Sequence, residues 1–202
     1  MILFPCNGNA HEALDCLSDD AKAIGFVDDD LTKHNKTVFD LPVHQRNFIA
    51  EHPNTKVLAV PGSPTSYQKR KEIIISLNLS PERWAKVIHP RANVSKHAII
   101  GFNVLIMAGV VIGPHATIGN HVVILPNTVI HHDAVIEDFN LIGSNVTVAG
   151  SVRISENCYI GSGSSIMNGI SIGAGALVGM GSNVIKNINP RAKVVGNPAR
   201  AI

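Results

Sequence analysis

From Ile88 onward the chain repeats itself every six residues. Steps of six from Ile88 land on Ile or Val through Val94, Ile100, Ile106 and every later stop as far as Val178 and Val184. Four residues after each landing stands a second apolar or small residue (Ala, Val, Thr, Cys, Ser or Ile), with Asn140 the one departure, and glycine often follows the landing. A period of six fits neither a 3.6-residue helix nor the two-residue alternation of a free strand. It fits a chain that makes one short strand and one corner per hexad, so that three hexads close a triangular coil. From Ile88 to Asn189 the repeat predicts about five and two-thirds coils, spaced by about 4.8 Å as parallel strands are, with the aliphatic landings stacked into the core of a prism.

Before Ile88 the pattern is of another kind. Short β-rich runs alternate with helical ones: MILF then HEALDCL, AIGFVDD then HQRNFIAEH, KVLAV then SYQKRKEIIISL. This alternation predicts a small α/β unit with a parallel sheet, residues 1–84, joined through LSPERWA to a prism and tail over residues 85–202. Ligands of such sheets bind beyond the carboxyl ends of the strands, which places CNGNAH, VDDD and VPGSPTS around one crevice suited to a nucleotide. CNGNAHEA lacks a full G-x-G-x-x-G, so a tight turn without ligand is the alternative. Asp28, Asp29 and Asp30 also read as a solvated strand end, and Lys69, Arg70 and Lys71 as a solvated helix face.

Composition narrows the function classes. A formal charge of +2 spread along 202 residues gives no field suited to nucleic acid. Cys6, Cys16 and Cys158 have no metal-ligand spacing, which argues against a zinc knuckle or a disulfide framework. The start MILFPCNGNAHEAL lacks the basic region and long apolar core of a signal peptide, so a cytoplasmic protein is expected. The longest apolar run, VLIMAGVVIG, is too short to cross a bilayer, and no membrane helix is expected.

The stretch TVIHHDAVIEDF, residues 128 to 139, sets two histidines and an aspartate inside the repeat. An amine or hydroxyl that attacks a thioester must lose a proton, which neutral imidazole accepts near pH 7. A neighbouring carboxylate orients the ring and favours the imidazolium that forms. Adjacent strand residues point to opposite faces, so such a pair works only if the hexad corner brings both side chains together. Coil spacing puts Gly150 one coil from His132, where a backbone N–H suits a developing oxyanion, and His115 one coil below Asp133. The ladder Gly143, Gly161 and Gly179 reads equally as a side-chain-free groove and as turn conformation. His97, His115 and His121 read as outward, solvated positions.

The repeat resembles that of the hexapeptide-repeat acyltransferases, whose left-handed parallel β-helix departs from the usual right-handed crossover. With the Rossmann-like α/β unit before it, essentially the whole chain resembles the sugar O-/N-acyltransferases that include the bacillosamine N-acetyltransferase and the sialic acid O-acetyltransferase. The family's first turn and its G-F-x-D-D strand end map onto Asn9, Ala10 and His11 and onto Gly25, Phe26, Asp28 and Asp29. The third crevice loop maps onto VPGSPTSYQKRKE with Gly62. These residues are thereby implied to bind the nucleotide of a nucleotide sugar. The family's V-x-H-[DE]-x-V-I-G-[DE]-F implies His132 as general base and Asp133 as its acid, with Asp138 in reserve, His131 a bystander and Glu137 in place of a glycine. Gly150, Ser162 and Met180 are implied to contact acetyl-CoA, as is Leu141, which stands where the family often has a second histidine. The tail VVGNPARAI is similar to the motif that closes the prism near coenzyme A.

The resemblance implies a homotrimer with sites between neighbouring subunits, acetyl-CoA as co-substrate and no metal. The activity it implies is N-acetylation of a nucleotide-linked amino-deoxy sugar, as in surface-glycan synthesis. The alternatives are O-acetylation of sialic acid, a nucleotide-sugar-binding homologue without catalysis, and a γ-type carbonic anhydrase. That last class is similar over the prism alone and would draw zinc ligands from His115, His121 and His132.

Overall fold

A computed structural model of the chain describes residues 1–18 and 21–202. The first unit holds strands β1 (Ile2–Phe4), β2 (Gly25–Val27), β3 (Thr37–Val38), β4 (Leu41–His44) and β5 (Val57–Ala59), with helices α1 (Gly8–Leu14), α2 (Asn47–Glu51) and α3 (Arg70–Ile75). β1, β2 and β5 are buried along their whole length, as strands covered on both faces are. The sheet order is β3-β4-β2-β1-β5, parallel except for the β3–β4 pair. That hairpin is absent from the helix–strand alternation expected from sequence. Its two-residue turn puts Phe39 and Asp40 at φ 49° and 59°, with no Asn-Gly to announce it. Because the chain builds outward from β1 in both directions, the order reverses between β1 and β5.

Lys86–Ile88 begins the prism. Three parallel sheets run along it: one begins with Lys86–Ile88 and carries Val123–Ile124, Leu141–Ile142 and Tyr159–Ile160; the second carries Val129–Ile130; the third carries Val135–Ile136. Partners sit one coil apart, as in Ile124↔Ile142 and Ile130↔Val148. Landings from Ile106 to Val184 are buried and form one core with the second-slot residues. Ile88, at the end of the stack with no coil beneath it, is 36% exposed. Asn140 interrupts the apolar slot at no cost in satisfaction: its Nδ2 donates to Glu137 and Ser155 carbonyls and its Oδ1 accepts from the Cys158 N–H. Each corner turns through a left-handed residue, repeated every six positions from Asn103 (φ 50°) to Gly181 (φ 66°).

The coils run past Asn189, with the last one shortened by two residues. Ile172 bridges Ile188 and Val178 pairs Val194, each 16 apart in place of 18. Asn187 Oδ1 accepts from the Ser171 N–H and closes the tightened corner. Arg200–Ala201 then folds back antiparallel on Lys193–Val195.

One prism face is apolar outward as well as inward. Val87, Leu105, Val123 and Leu141 pack into a cluster with Leu3, Phe26 and Leu58 of the α/β unit, with Tyr159 at its margin. We call it the docked face. On the other two faces the equivalent outward positions are half-buried or exposed, with Thr147, Ser165, Arg153 and Ser171 among the exposed ones.

Candidate functional site

His132 and Asp133 occupy the corner between the second and third prism faces, opposite the docked face. Asp133 takes the left-handed conformation, φ 58°, and so swings its carboxylate to the same side as its neighbour's ring. His132 Nδ1 lies 2.7 Å from Asp133 Oδ2. A carboxylate only accepts, so Nδ1 carries the proton and Nε2 presents a lone pair. The side chains remain 56% and 53% exposed, which leaves the ring open to a reactant. Gly150 is buried one coil above, and a Cβ there would stand 2.7 Å from His132 Cε1 and 2.8 Å from Nε2. The absent side chain is thus the space in which the imidazole lies. The Gly150 N–H donates to no group among the described residues. Asp138 stands at the next corner and accepts from the Asn120 N–H at 2.7 Å, away from His132.

A crevice of about 530 Å³ opens where the α/β unit meets the docked face. It lies at the carboxyl ends of β1 and β5, the point where the strand order reverses. Asn7 caps α1 by accepting from the Ala10 N–H at 3.0 Å, and its Nδ2 reaches the Val60 carbonyl. Asn9 Nδ2 also donates to Val60 O at 3.2 Å, lacing the first turn to the third loop. Gly62, at φ 120°, needs its freedom to bend that loop. Leu125, Leu141 and Tyr159 form the prism's side of the wall.

The predicted nucleotide residues do not all meet there. Asp28 is buried, accepting from the Cys6 N–H and pairing with Lys33, both at 2.9 Å. Asp29 turns the other way to a two-pronged pair with Arg46. His11 sits edge-on between Phe26 and Phe39 with Nε2 3.5 Å from Cys6 Sγ. Ala10 is fully buried and has no surface to offer a ligand.

The family described as bacterial transferase hexapeptide (six repeats) matches residues 97–132, 115–150 and 133–166, and the hexapeptide repeat of succinyl-transferase matches 151–185. These matches run through the prism, whose repeat is thus that of the bacterial hexapeptide transferases. No curated protein matches it. Among solved structures, PerB from Caulobacter crescentus, in complex with CoA and GDP-perosamine, is 25% identical over 100% of this chain and 96% of that one, with a TM-score of 0.87. The acetyltransferase domain of PglB from Neisseria gonorrhoeae, in complex with acetyl coenzyme A, shares the fold at 22% identity and TM-score 0.85, covering 100% and 97%. WeeI from Acinetobacter baumannii does so at 23% and 0.85, covering 100% and 98%.

In this acyltransferase the remaining positions fall into two groups. Ser162 and Met180 line the corner between docked and second faces; Met180 is 73% exposed, and Ser162 Oγ accepts from the Ser144 N–H. Leu141 is buried in the crevice wall, apart from the Gly150 corner. The glycine ladder answers to coil packing: a Cβ on Gly143 would lie 2.5 Å from Ser162 N, and one on Gly161 2.5 Å from Met180 N. Neither glycine has a positive φ, so close approach of the next coil, not turn conformation, requires them.

Two expectations are overturned at the third corner. His121 is 8% exposed, not solvated: it stacks on Phe139 at 4.7 Å, is flanked edge-on by Trp84 and Phe102, and faces Asn103 Nδ2 through Nδ1 at 2.9 Å. Burial, then the nearby Arg70 charge, outweigh Asp138 and push its imidazole down to about 4. Its engaged ring breaks the three-histidine set of the carbonic anhydrase reading. Arg70 is not on a solvated helix face but fully buried. His97 and His115 are exposed as expected, their rings 5.9 Å apart.

Proposed function

We propose that the chain transfers the acetyl group of acetyl-CoA to the amino group of a nucleotide-linked amino-deoxy sugar, with His132 as general base. The observation that carries this reading is the His132–Asp133 pair under Gly150, in a fold similar throughout to an enzyme solved with CoA and GDP-perosamine. The acceptor nitrogen attacks the thioester carbonyl as Nε2 takes its proton; the C–N bond forms, the C–S bond breaks, and the thiolate leaves with a proton. Asp133 holds the ring and favours the imidazolium. The Gly150 N–H is the donor for the oxyanion. The Rossmann-like unit holds the nucleotide in the crevice, and Ser162 and Met180 receive the acetyl-CoA arm. No residue set of three or more His, Cys, Asp or Glu among those described suits a metal.

The base corner and the crevice lie on opposite sides of one prism, so we assign the reaction to a site between copies, in a homotrimer. A neighbouring copy supplies the corner that one chain cannot bring to its own crevice. No helix among the described residues is long and apolar enough to cross a membrane, in keeping with work in the cytoplasm.

The test is thiol release from acetyl-CoA with UDP-, GDP- and dTDP-linked 4-amino-4,6-dideoxy sugars, the native protein beside His132→Ala. Release with one sugar, lost in the variant, is the expected result. Equal rates would remove His132 as base. Silence throughout would shift the reading to sialic acid or to binding without turnover, which Leu141 in the crevice wall would then mark.

A further inference from the structure

The crevice has a feature that its proposed ligand makes odd: no charged side chain among the described residues lines it. A nucleoside diphosphate is doubly or triply negative and needs a counter-charge wherever it is taken out of water. Lys33, near the first turn, is already paired with Asp28.

One cation lies directly behind the wall. Arg70 opens α3 and is fully buried. Its Nη2 donates to the His121 carbonyl at 2.7 Å, its Nη1 donates to the Pro61 carbonyl, and its Nε has no partner. No carboxylate among the described residues pairs with it; its two partners are neutral carbonyls. A side chain on Gly62, the residue after Pro61, would stand 3.7 Å from Arg70 Cδ and 3.9 Å from Nη1. The guanidinium therefore backs onto the loop that forms the crevice wall. Burial pushes it down to about 9, the mark of a cation poorly compensated by its surroundings. A buried charge of this kind is costly to fold around unless something later balances it.

We propose that Arg70 is a positioning residue for the substrate diphosphate: it pins the Pro61–Gly62 loop to the prism and supplies, through that thin glycine wall, the positive field that the crevice lining lacks. The inference rests on the reading of the crevice as a nucleotide site. It does not depend on which sugar or acyl group reacts. Arg70 touches no ligand and acts through the loop and through space, where low polarity leaves a charge weakly screened. Its missing counter-ion is the phosphate of the substrate.

Titration calorimetry with UDP, GDP and dTDP, each beside its own nucleoside, tests this on the native protein, Arg70→Met and Arg70→Lys. In the native protein at least one diphosphate should bind about tenfold or more tighter than its nucleoside. In Arg70→Met that gap should close to within about twofold while nucleoside binding persists, and Arg70→Lys, which keeps the charge, should retain most of it. A merely structural role would weaken nucleoside and diphosphate in parallel and leave the gap unchanged; that result in folded Arg70→Met overturns the inference while the crevice reading stands. If Arg70→Met does not fold, the native series decides, because equal affinity for nucleoside and diphosphate is equally fatal. If no diphosphate binds the native protein, the crevice reading falls as well.

Discussion

His132 and His121 stand in the same repeat, on the same prism, and have opposite lives. His132 lies just before a left-handed corner residue, on a rim open to water, with a carboxylate on one nitrogen and a glycine leaving room for the ring. His121 is itself the left-handed residue of its corner, φ 59°, and is closed in by Trp84, Phe102, Phe139 and the α/β unit's grip on Asn103. One ring is open to a reactant, while the other is held neutral by burial to about 4. Position in the repeat decides which way a corner faces; what packs on that face decides whether its histidine stays open to a reactant or is buried in the core.

The sharpest way to break this contrast is to truncate the first ring. His132→Ala should lower kcat by about a hundred- to ten-thousand-fold while stability stays within about 0.5 kcal/mol, since the side chain is exposed. Loss of activity together with fold would mean that the two corners do not differ as described.

The second ring should show itself in stability against pH. Its folded value near 4 lies below the ordinary 6.5, so the unfolded chain binds a proton that the fold refuses. His121 therefore favours the fold in full above pH 6.5, and that contribution is lost as pH falls towards 4, by roughly 3 kcal/mol. Denaturant unfolding at pH 7 and pH 4.5 should show a steeper acid loss for the native protein than for His121→Gln. Equal losses would contradict the assignment.

Gly150→Ala should cost about a hundredfold in kcat, because a Cβ in the place of the ring displaces it by the order of an ångström. A variant with native kcat would mean that His132 works in another pose. Asp133→Asn should have the smallest effect, about tenfold, since the pair is exposed and the amide oxygen can still accept from Nδ1 while the charge that favours the imidazolium is lost. An unchanged rate would make the carboxylate a spectator.

Much of this was readable from residue order alone. The hexad rule placed the core from Ile106 to Val184, whereas His132 and Asp133 were singled out by the likeness of VIHHDAVIEDF to a family motif, and their shared direction depends on a corner conformation that aspartate tolerates. What escaped was set by contacts between coils and units. Arg70 and His121 looked solvated because nothing in their own segments shows what covers them. The signal lay elsewhere, in the 18-residue outward series Val87, Leu105, Val123 and Leu141, which stays apolar where the equivalent series of the other faces turn to Thr147 and Ser165 or to Arg153 and Ser171. That series marks the docked face, and the corner beside it is where α3 lands. The glycine ladder was ambiguous for the same reason: the atom that forbids a side chain on Gly143 belongs to Ser162, in the next coil. The shortened last coil also broke a count that assumed strict sixes.

In the proposed trimer the base of one copy serves the crevice of another. Gly8 lines the crevice, and a Cβ there meets nothing within 4 Å, so Gly8→Trp should block the crevice without disturbing the fold. His132→Ala and Gly8→Trp, each inactive alone, would be unfolded and refolded together in equal amounts and assayed for thiol release. With sites between copies, about a quarter of the native activity should return, since half the corners and half the crevices are intact and pair at random. No recovery in properly reassembled mixtures would place base and crevice in the same chain and contradict the account.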